Sequence, residues 1–146
     1  MKNSGGEPDL ADDFAMDARL LADTIAVAAL PLSDLRLMND ARFPWLVLVP
    51  RRVGIAELID LSDIDRASLF DEIVIVSQLL KRVTACHKLN VAALGNQVRQ
   101  LHVHVIARFE TDAAWPRPVW GVGEAVAYKA AGRDKLLSDI RDALPA

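Results

Sequence analysis

The chain has 146 residues, 52% of them hydrophobic and 25% charged, with seven prolines, seven glycines and a net charge of −3. That length and balance fit one globular domain able to bury most of its apolar side chains, and they exclude a largely disordered chain. With no strong basic excess, they also exclude the electrostatic footprint of a general nucleic-acid binder.

A single cysteine, Cys86, rules out an intrachain disulfide and fits a reducing compartment. The first residues lack the basic-then-apolar pattern of a signal peptide, and no apolar run approaches the ~18 residues of a membrane span, so a cytoplasmic location is expected. Residues 1–40 hold eight acids and three bases, which a solvated acidic region explains without any partner.

Residues 1–9 read as a polar tail and residues 10–146 as a single domain. From Asp12 to Leu30, Phe14, Ala18, Leu21, Ile25 and Ala28 recur three or four apart, which predicts a helix. Asp12, Asp13 and Asp17 suit its amino end, and Pro31 would stop it. Leu35–Met38 predicts a short strand, residues 39–44 a turn-rich connector, and Trp45–Val49 a strand buried on both faces. Arg51 and Arg52 follow, either as a solvated strand end or as groups turned toward a site. Ile55, Leu58 and Ile59 read as apolar anchors of the next connector. Ser62 has the position of an N-cap, opening a helix to about Cys86 with Leu69, Ile73, Val76, Leu80 and Val83 along its inward stripe. His87 then falls at a helix carboxyl end, where an imidazole interacts well with the last carbonyls.

Lys88–Leu94 and Val98–Arg108 predict two sequential antiparallel strands joined through the Gly95-Asn96 turn. Residues 115–121 contain two prolines and cannot pair within a sheet interior, and Trp115 and Trp120 there read equally as packing or as ligand contacts. Residues 122–131 carry no clear signal. Arg133–Leu144 predicts a last helix with Leu136, Leu137, Ile140 and Leu144 inward. The pattern is that of an α+β domain.

The most informative stretch is Gln100–Arg108. Gln100, His102 and His104 alternate with Leu101, Val103 and Val105, so two of the three histidines project from one strand face, with Arg108 sharing their parity. Three uses are open. A metal site would need more ligands, and His87, Cys86 and the scattered acids lack ligand spacing. Two core imidazoles could be satisfied by backbone carbonyls. General acid–base or nucleophilic chemistry is the third use. An imidazole with one nitrogen bonded to a carbonyl has a fixed tautomer and a free lone pair on the other nitrogen, able to attack phosphorus. No glycine-rich phosphate loop is present.

Gln100-Leu101-His102-Val103-His104-Val105-Ile106 resembles the signature of the histidine triad (HIT) family, His-X-His-X-His-X-X with X apolar, with glutamine at the first histidine position. Asn39-Asp40 with Trp45–Pro50, and Asn90 with Gly95-Asn96, extend the likeness over residues 35–110. The resemblance implies a HIT-like α+β fold with a five-stranded antiparallel sheet and flanking helices, in a homodimer. It implies a hydrolase or transferase cleaving at the α-phosphorus of a dinucleoside polyphosphate or nucleoside phosphoramidate and releasing a nucleoside monophosphate. In that reading His102 is the nucleophile and forms a nucleotidyl intermediate, and His104 holds phosphate or assists the leaving group. Asp40 and Asn39 match positions near the ribose, Asn90 and Gln97 positions lining the phosphates, and Arg108 joins Gln97 and His104 in balancing oxyanion charge. Gln100 can keep the contact orienting His102 if its backbone carbonyl makes it, and Trp45 stands where many members have a further histidine. No cofactor is expected beyond a divalent metal that could accompany a polyphosphate substrate. The expected partner is a purine nucleotide or dinucleoside polyphosphate, with no polymeric nucleic acid and no membrane. The alternatives are a catalytically silent nucleotide-binding or sensing module, and an interaction protein using Trp115–Trp120.

Overall fold

A computed structural model describes residues 13–146. Among them, β1 (Thr24–Ala29), β2 (Ser33–Met38), β3 (Trp45–Pro50), β4 (Lys88–Ala92) and β5 (Val103–Arg108) form one five-stranded sheet in the order β1-β2-β3-β5-β4. Every neighbouring pair is antiparallel. Three helices accompany it, α1 (Ala18–Asp23), α2 (Asp63–Thr84) and α3 (Ala130–Ala143). The α+β architecture is the expected one.

The unbroken apolar run of β3 is explained by its place. As the middle strand it is buried along its whole length, and so is β5 beside it. On one face, Leu46, Leu48, Val103 and Val105 meet Leu69, Val76 and Leu80 of α2 and Ile140 of α3. On the other, Trp45, Val47, Val49 and Ile106 pack with Phe43, Leu20, Ala114 and Val119. Each such aliphatic side chain, fully buried, contributes about 1.5–3 kcal/mol. His102 and His104 belong to this second face, the one left without a long helix.

Four expectations need correction. The helix expected over residues 12–30 is only the six residues of α1, followed directly by β1. Thr24, Ile25 and Val27 are β-branched, and β2 offers them a ladder, with a bulge between Ala26 and Ala28. Leu21, expected inward, is 51% exposed. Asp17 is the N-cap of α1, accepting from the amide of Arg19, and Asp12 lies outside the described residues. Second, the histidine-bearing strand begins at Val103 rather than near Val98. At that end its neighbour β3 closes on Pro50, which has no N–H to donate, and the Leu101 amide bonds instead to the carbonyl of Ile55. Third, Leu58 and Ile59 are exposed on a 3-10 turn, and of the proposed anchors only Ile55 joins the core. Fourth, His87 reaches no helix carbonyl. Its Nε2 lies 3.2 Å from a Glu110 carboxylate oxygen, and its ring meets Trp115 edge-on.

The Ser62 cap of α2 is as expected, its hydroxyl accepting from the amide of Asp65. Arg51 and Arg52 pair with Asp34 and Asp65 and take no part in the second face. Buried within the α2 interface, Glu72 accepts from the amides of Leu32 at 3.2 Å and Ser33 at 3.0 Å, tying the β1–β2 turn to the helix. Burial pushes its carboxyl above the usual range, against those amides, which favour the anion. Glu72→Ala leaves both amides without an acceptor. It is expected to lower the unfolding free energy by about 2 kcal/mol, and an unchanged urea midpoint would contradict this bracing role.

Candidate active site

His102 precedes β5 by one residue and His104 lies on it, two positions apart, so their rings share a face at 4.8 Å between centroids and 76° between planes. Both are buried, at 7% and 4% exposure. Nδ1 of His102 lies 2.7 Å from the backbone carbonyl oxygen of Gln100. A carbonyl oxygen only accepts, so Nδ1 carries the proton and Nε2 keeps its lone pair. The contact expected to orient His102 is thus made by the backbone, and glutamine at position 100 preserves it.

His104 is held differently. The indole Nε1–H of Trp45, on the adjacent strand, donates to His104 Nδ1 at 2.9 Å. Indole nitrogen is a donor only, so Nδ1 is the acceptor and the ring proton sits on Nε2. Trp120 meets the same imidazole edge-on at 5.1 Å between centroids. Burial first, and the neighbouring His102 second, push the His104 pKa down to about 3, which keeps the ring neutral at physiological pH.

The two rings line a cleft of about 690 Å³, bordered also by Arg19, Gln97, Trp45 and Trp120. A second cavity of about 370 Å³ shares Asp23, Met38, Trp45 and Trp120 with it and reaches Asn39, Asp40 and Arg42. Together they form one trough, polar at both ends, with aromatic walls between. Arg19 Nη1 lies 3.4 Å from Gln97 Oε1, joining α1 to the loop before β5.

The expected site residues divide into three groups. His102, His104 and Gln97 line the cleft, and Asn39 and Asp40 line the adjoining cavity. Asn39 Oδ1 accepts from the amide of Tyr128, leaving its amide nitrogen. Asp40 braces the turn: its carboxylate accepts from the amide of Arg42 (3.1 Å), from Nε (3.0 Å) and Nη2 (2.8 Å) of the same residue, and from the amide of Val126 (3.3 Å). Burial raises its pKa, but these donors outweigh it and hold the carboxyl below its ordinary value. Three of these donors crowd Oδ1 and only Arg42 Nη2 meets Oδ2, so Oδ2 keeps one acceptor position. Gln100 turns its side chain away from the cleft, with Oε1 accepting from the Asp17 amide at 2.8 Å and Nε2 donating to the Ala15 carbonyl at 2.9 Å.

Arg108 and Asn90 form the third group, and the structure does not bring them to the cleft. Arg108 shares the face of the imidazoles as its parity requires, but it is 1% exposed and its guanidinium is consumed internally. It donates to Asp112 at 2.8 and 3.1 Å, to Asn90 Oδ1 at 2.8 Å and to the Arg117 carbonyl at 2.7 Å. The sequence does not single out Arg19 and Asp23 of α1, nor the part of Trp45 and Trp120 as ring partners of His104. Among the described residues, no three His, Cys, Asp or Glu side chains are grouped to hold a metal ion.

A family model described as HIT domain matches residues 20–111. Among solved structures, a histidine triad protein of Bradyrhizobium japonicum is 49% identical, with a TM-score of 0.89 over 90% of this chain and 98% of the other. A histidine triad (HIT) protein of Sinorhizobium meliloti 1021 is 46% identical, with a TM-score of 0.90 over 92% and 99% of the two chains. A histidine triad protein of Marinobacter aquaeolei VT8 is 39% identical, with a TM-score of 0.88 over 90% and 96%. A search of curated proteins found no match.

Proposed function

The chain belongs to the histidine triad family, and on that premise we propose that it is a nucleotide-binding hydrolase or transferase acting at an α-phosphorus. The observation that carries the reading is the His102–Gln100 carbonyl contact, which fixes the proton on Nδ1 and leaves Nε2 as a nucleophile beside a cleft of nucleotide size. Nε2 attacks the α-phosphorus of a dinucleoside polyphosphate or nucleoside phosphoramidate, the P–O or P–N bond to the leaving group breaks, and a cationic nucleotidyl-imidazole forms. Water then attacks phosphorus, breaks the P–N bond to His102 and releases the nucleoside monophosphate.

In this reading Trp45 and Trp120, packed edge to face against each other at 5.7 Å between centroids, form one wall beside the substrate's middle, while Asn39 and Asp23 supply ribose contacts above the Asp40–Arg42 brace. His104 Nε2–H, Gln97 and Arg19 face the charge that develops on phosphate oxygens. A homodimer in the cytoplasm is part of the same proposal, and among the described residues no helix is long and apolar enough to cross a membrane.

The test is AMP release from diadenosine polyphosphates and adenosine phosphoramidate. Release that saturates with substrate supports the enzyme reading. AMP binding without release from any of them would replace it by a binding or sensing module.

Gln100→Ala separates backbone from side chain. Amide exchange at Asp17 is expected to rise about tenfold, corresponding to roughly one lost hydrogen bond, while kcat stays within a few-fold because the orienting carbonyl remains. A hundredfold loss of kcat would show that the Gln100 side chain serves the chemistry.

A further inference from the structure

We infer that Trp45 is a positioning residue that sets the leaving-group preference of the site, favouring phosphoanhydrides over phosphoramidates by locking His104 as an Nε2–H donor. The inference rests on the proposed attack by His102 and concerns the other half of that step, the departure of the leaving group.

The geometry leaves His104 one role. Its Nδ1 accepts the Trp45 indole N–H at 2.9 Å, and indole has no lone pair to accept in return. A proton on Nδ1 would therefore face an N–H it cannot bond, inside a site where Trp45 is 6% and His104 4% exposed. The ring is closed in by Trp45 at 5.5 Å and Trp120 at 5.1 Å between centroids, both edge-on, so it cannot turn to free that nitrogen. Of titratable groups, His102 touches it directly, and Arg19 and Asp23 border the same cleft. The depressed basicity of His104 agrees with the geometry.

A neutral imidazole with its proton on Nε2 can donate a hydrogen bond but is a poor general acid. Giving up that proton would leave an imidazolide, which the indole N–H cannot neutralise. For an anhydride this does not matter. The His102 Nε2 lone pair forms the P–N bond, the P–O bond breaks, and its electron pair leaves on a phosphate oxygen as an oxyanion that His104 Nε2–H and Arg19 stabilise without proton transfer. For a phosphoramidate the electron pair leaves on nitrogen, which must gain a proton to depart as an amine. No group held in the cleft in this way supplies one. A positioned general acid is worth about 10²–10⁴-fold, and that is the scale of the discrimination.

Two measurements decide it. The first is the kcat/KM ratio of diadenosine tetraphosphate to adenosine phosphoramidate in the unaltered chain and in Trp45→Phe and Trp45→His. A ratio of about 10² or more is expected in the unaltered chain, falling at least tenfold in both variants as His104 Nδ1 becomes able to take a proton. The second is the 15N spectrum of His104 in the unaltered chain, expected to show the neutral Nε2–H tautomer from pH 5 to 8. This readout does not depend on how the variants fold. Equal efficiency toward the two substrates, with both activities lost in His102→Ala, overturns the inference and leaves the proposed function standing. An Nδ1–H tautomer, or an unchanged ratio in both variants when folded, overturns it as well. AMP release from neither substrate overturns the proposed function and the preference with it.

Discussion

His102→Ala is expected to reduce AMP release by roughly 10⁴-fold or more, the scale seen when a catalytic nucleophile is removed, for every substrate the unaltered chain cleaves. The reason is that the site holds no substitute. His104 has one nitrogen bonded to Trp45 and its proton on the other. His87 lies with Glu110 and Trp115, away from the cleft. Cys86 is buried in the core cluster with α2, on the opposite side of the sheet. AMP affinity should change only a few-fold, because the aromatic walls and Asn39 remain. Rapid-quench labelling with a radioactive α-phosphate gives the sharper measurement: a covalent adduct on the unaltered chain and none on the variant. A residual rate within tenfold of the original would mean that His102 is not the attacking group.

The largest effect on stability is expected at Asp112. Its carboxylate and the Arg108 guanidinium are 4% and 1% exposed, and both oxygens are used. The same carboxylate accepts from the amides of Phe109, Ala114 and Trp115, folding residues 109–115 around the end of β5. Asp112→Ala leaves a buried guanidinium without its anion and three amides without an acceptor, so a loss of about 3–5 kcal/mol is expected. Urea unfolding measures it, and a shift below 1 kcal/mol would show that the pair relaxes into solvent. The double variant Arg108→Met, Asp112→Leu should recover part of the loss, because it removes both desolvation costs together. Burial raises the Asp112 pKa, but the Arg108 bonds and the three amides overcome it and bring it down to about 2. A carboxyl depressed in the folded state stabilises fully above its unfolded value near 4. The contribution, about 2 kcal/mol, is lost as pH falls from about 4 to 2, and Asp112→Ala should flatten that limb of the stability curve.

The parts of this fold readable in the sequence are those where one period dominates. Trp45–Val49 is apolar at every position because both faces of β3 are covered, and Ser62 caps α2 through its own third residue. The two imidazoles share a face because strand parity is local. Residues 24–29 form a strand where a helix is expected, because small and apolar residues there satisfy helical spacing as well as strand pairing. The ladder with β2 decides the matter, and it belongs to another part of the chain. The expected stripe that sets Leu21 inward leaves Arg19 and Asp23 on the solvent side of α1, although both border the cleft. Asp40 is legible as a polar residue beside a buried strand, but its bonds to Arg42 and to Val126, 86 residues on, are not. Arg108 illustrates the same limit: parity puts it on the correct face, while the Asp112 that consumes it follows a bend no periodicity reports. The Trp45–His104 bond spans 59 residues, and neither partner alone announces it.

The sheet order β1-β2-β3-β5-β4 also bears on how the protein comes off the ribosome. β1, β2 and β3 are joined by short connections and can pair as soon as they emerge. The far edge of β3 must then wait through α2 and β4 for β5, the strand carrying His104, to slide between them. At synthesis rates of roughly 5–20 residues per second, the most apolar strand in the chain spends several seconds with one side of its backbone unpaired. Until β5 arrives, the nascent chain has neither paired imidazoles nor a closed sheet, and Trp45 stands unsheltered by its imidazole partner beside an open strand edge.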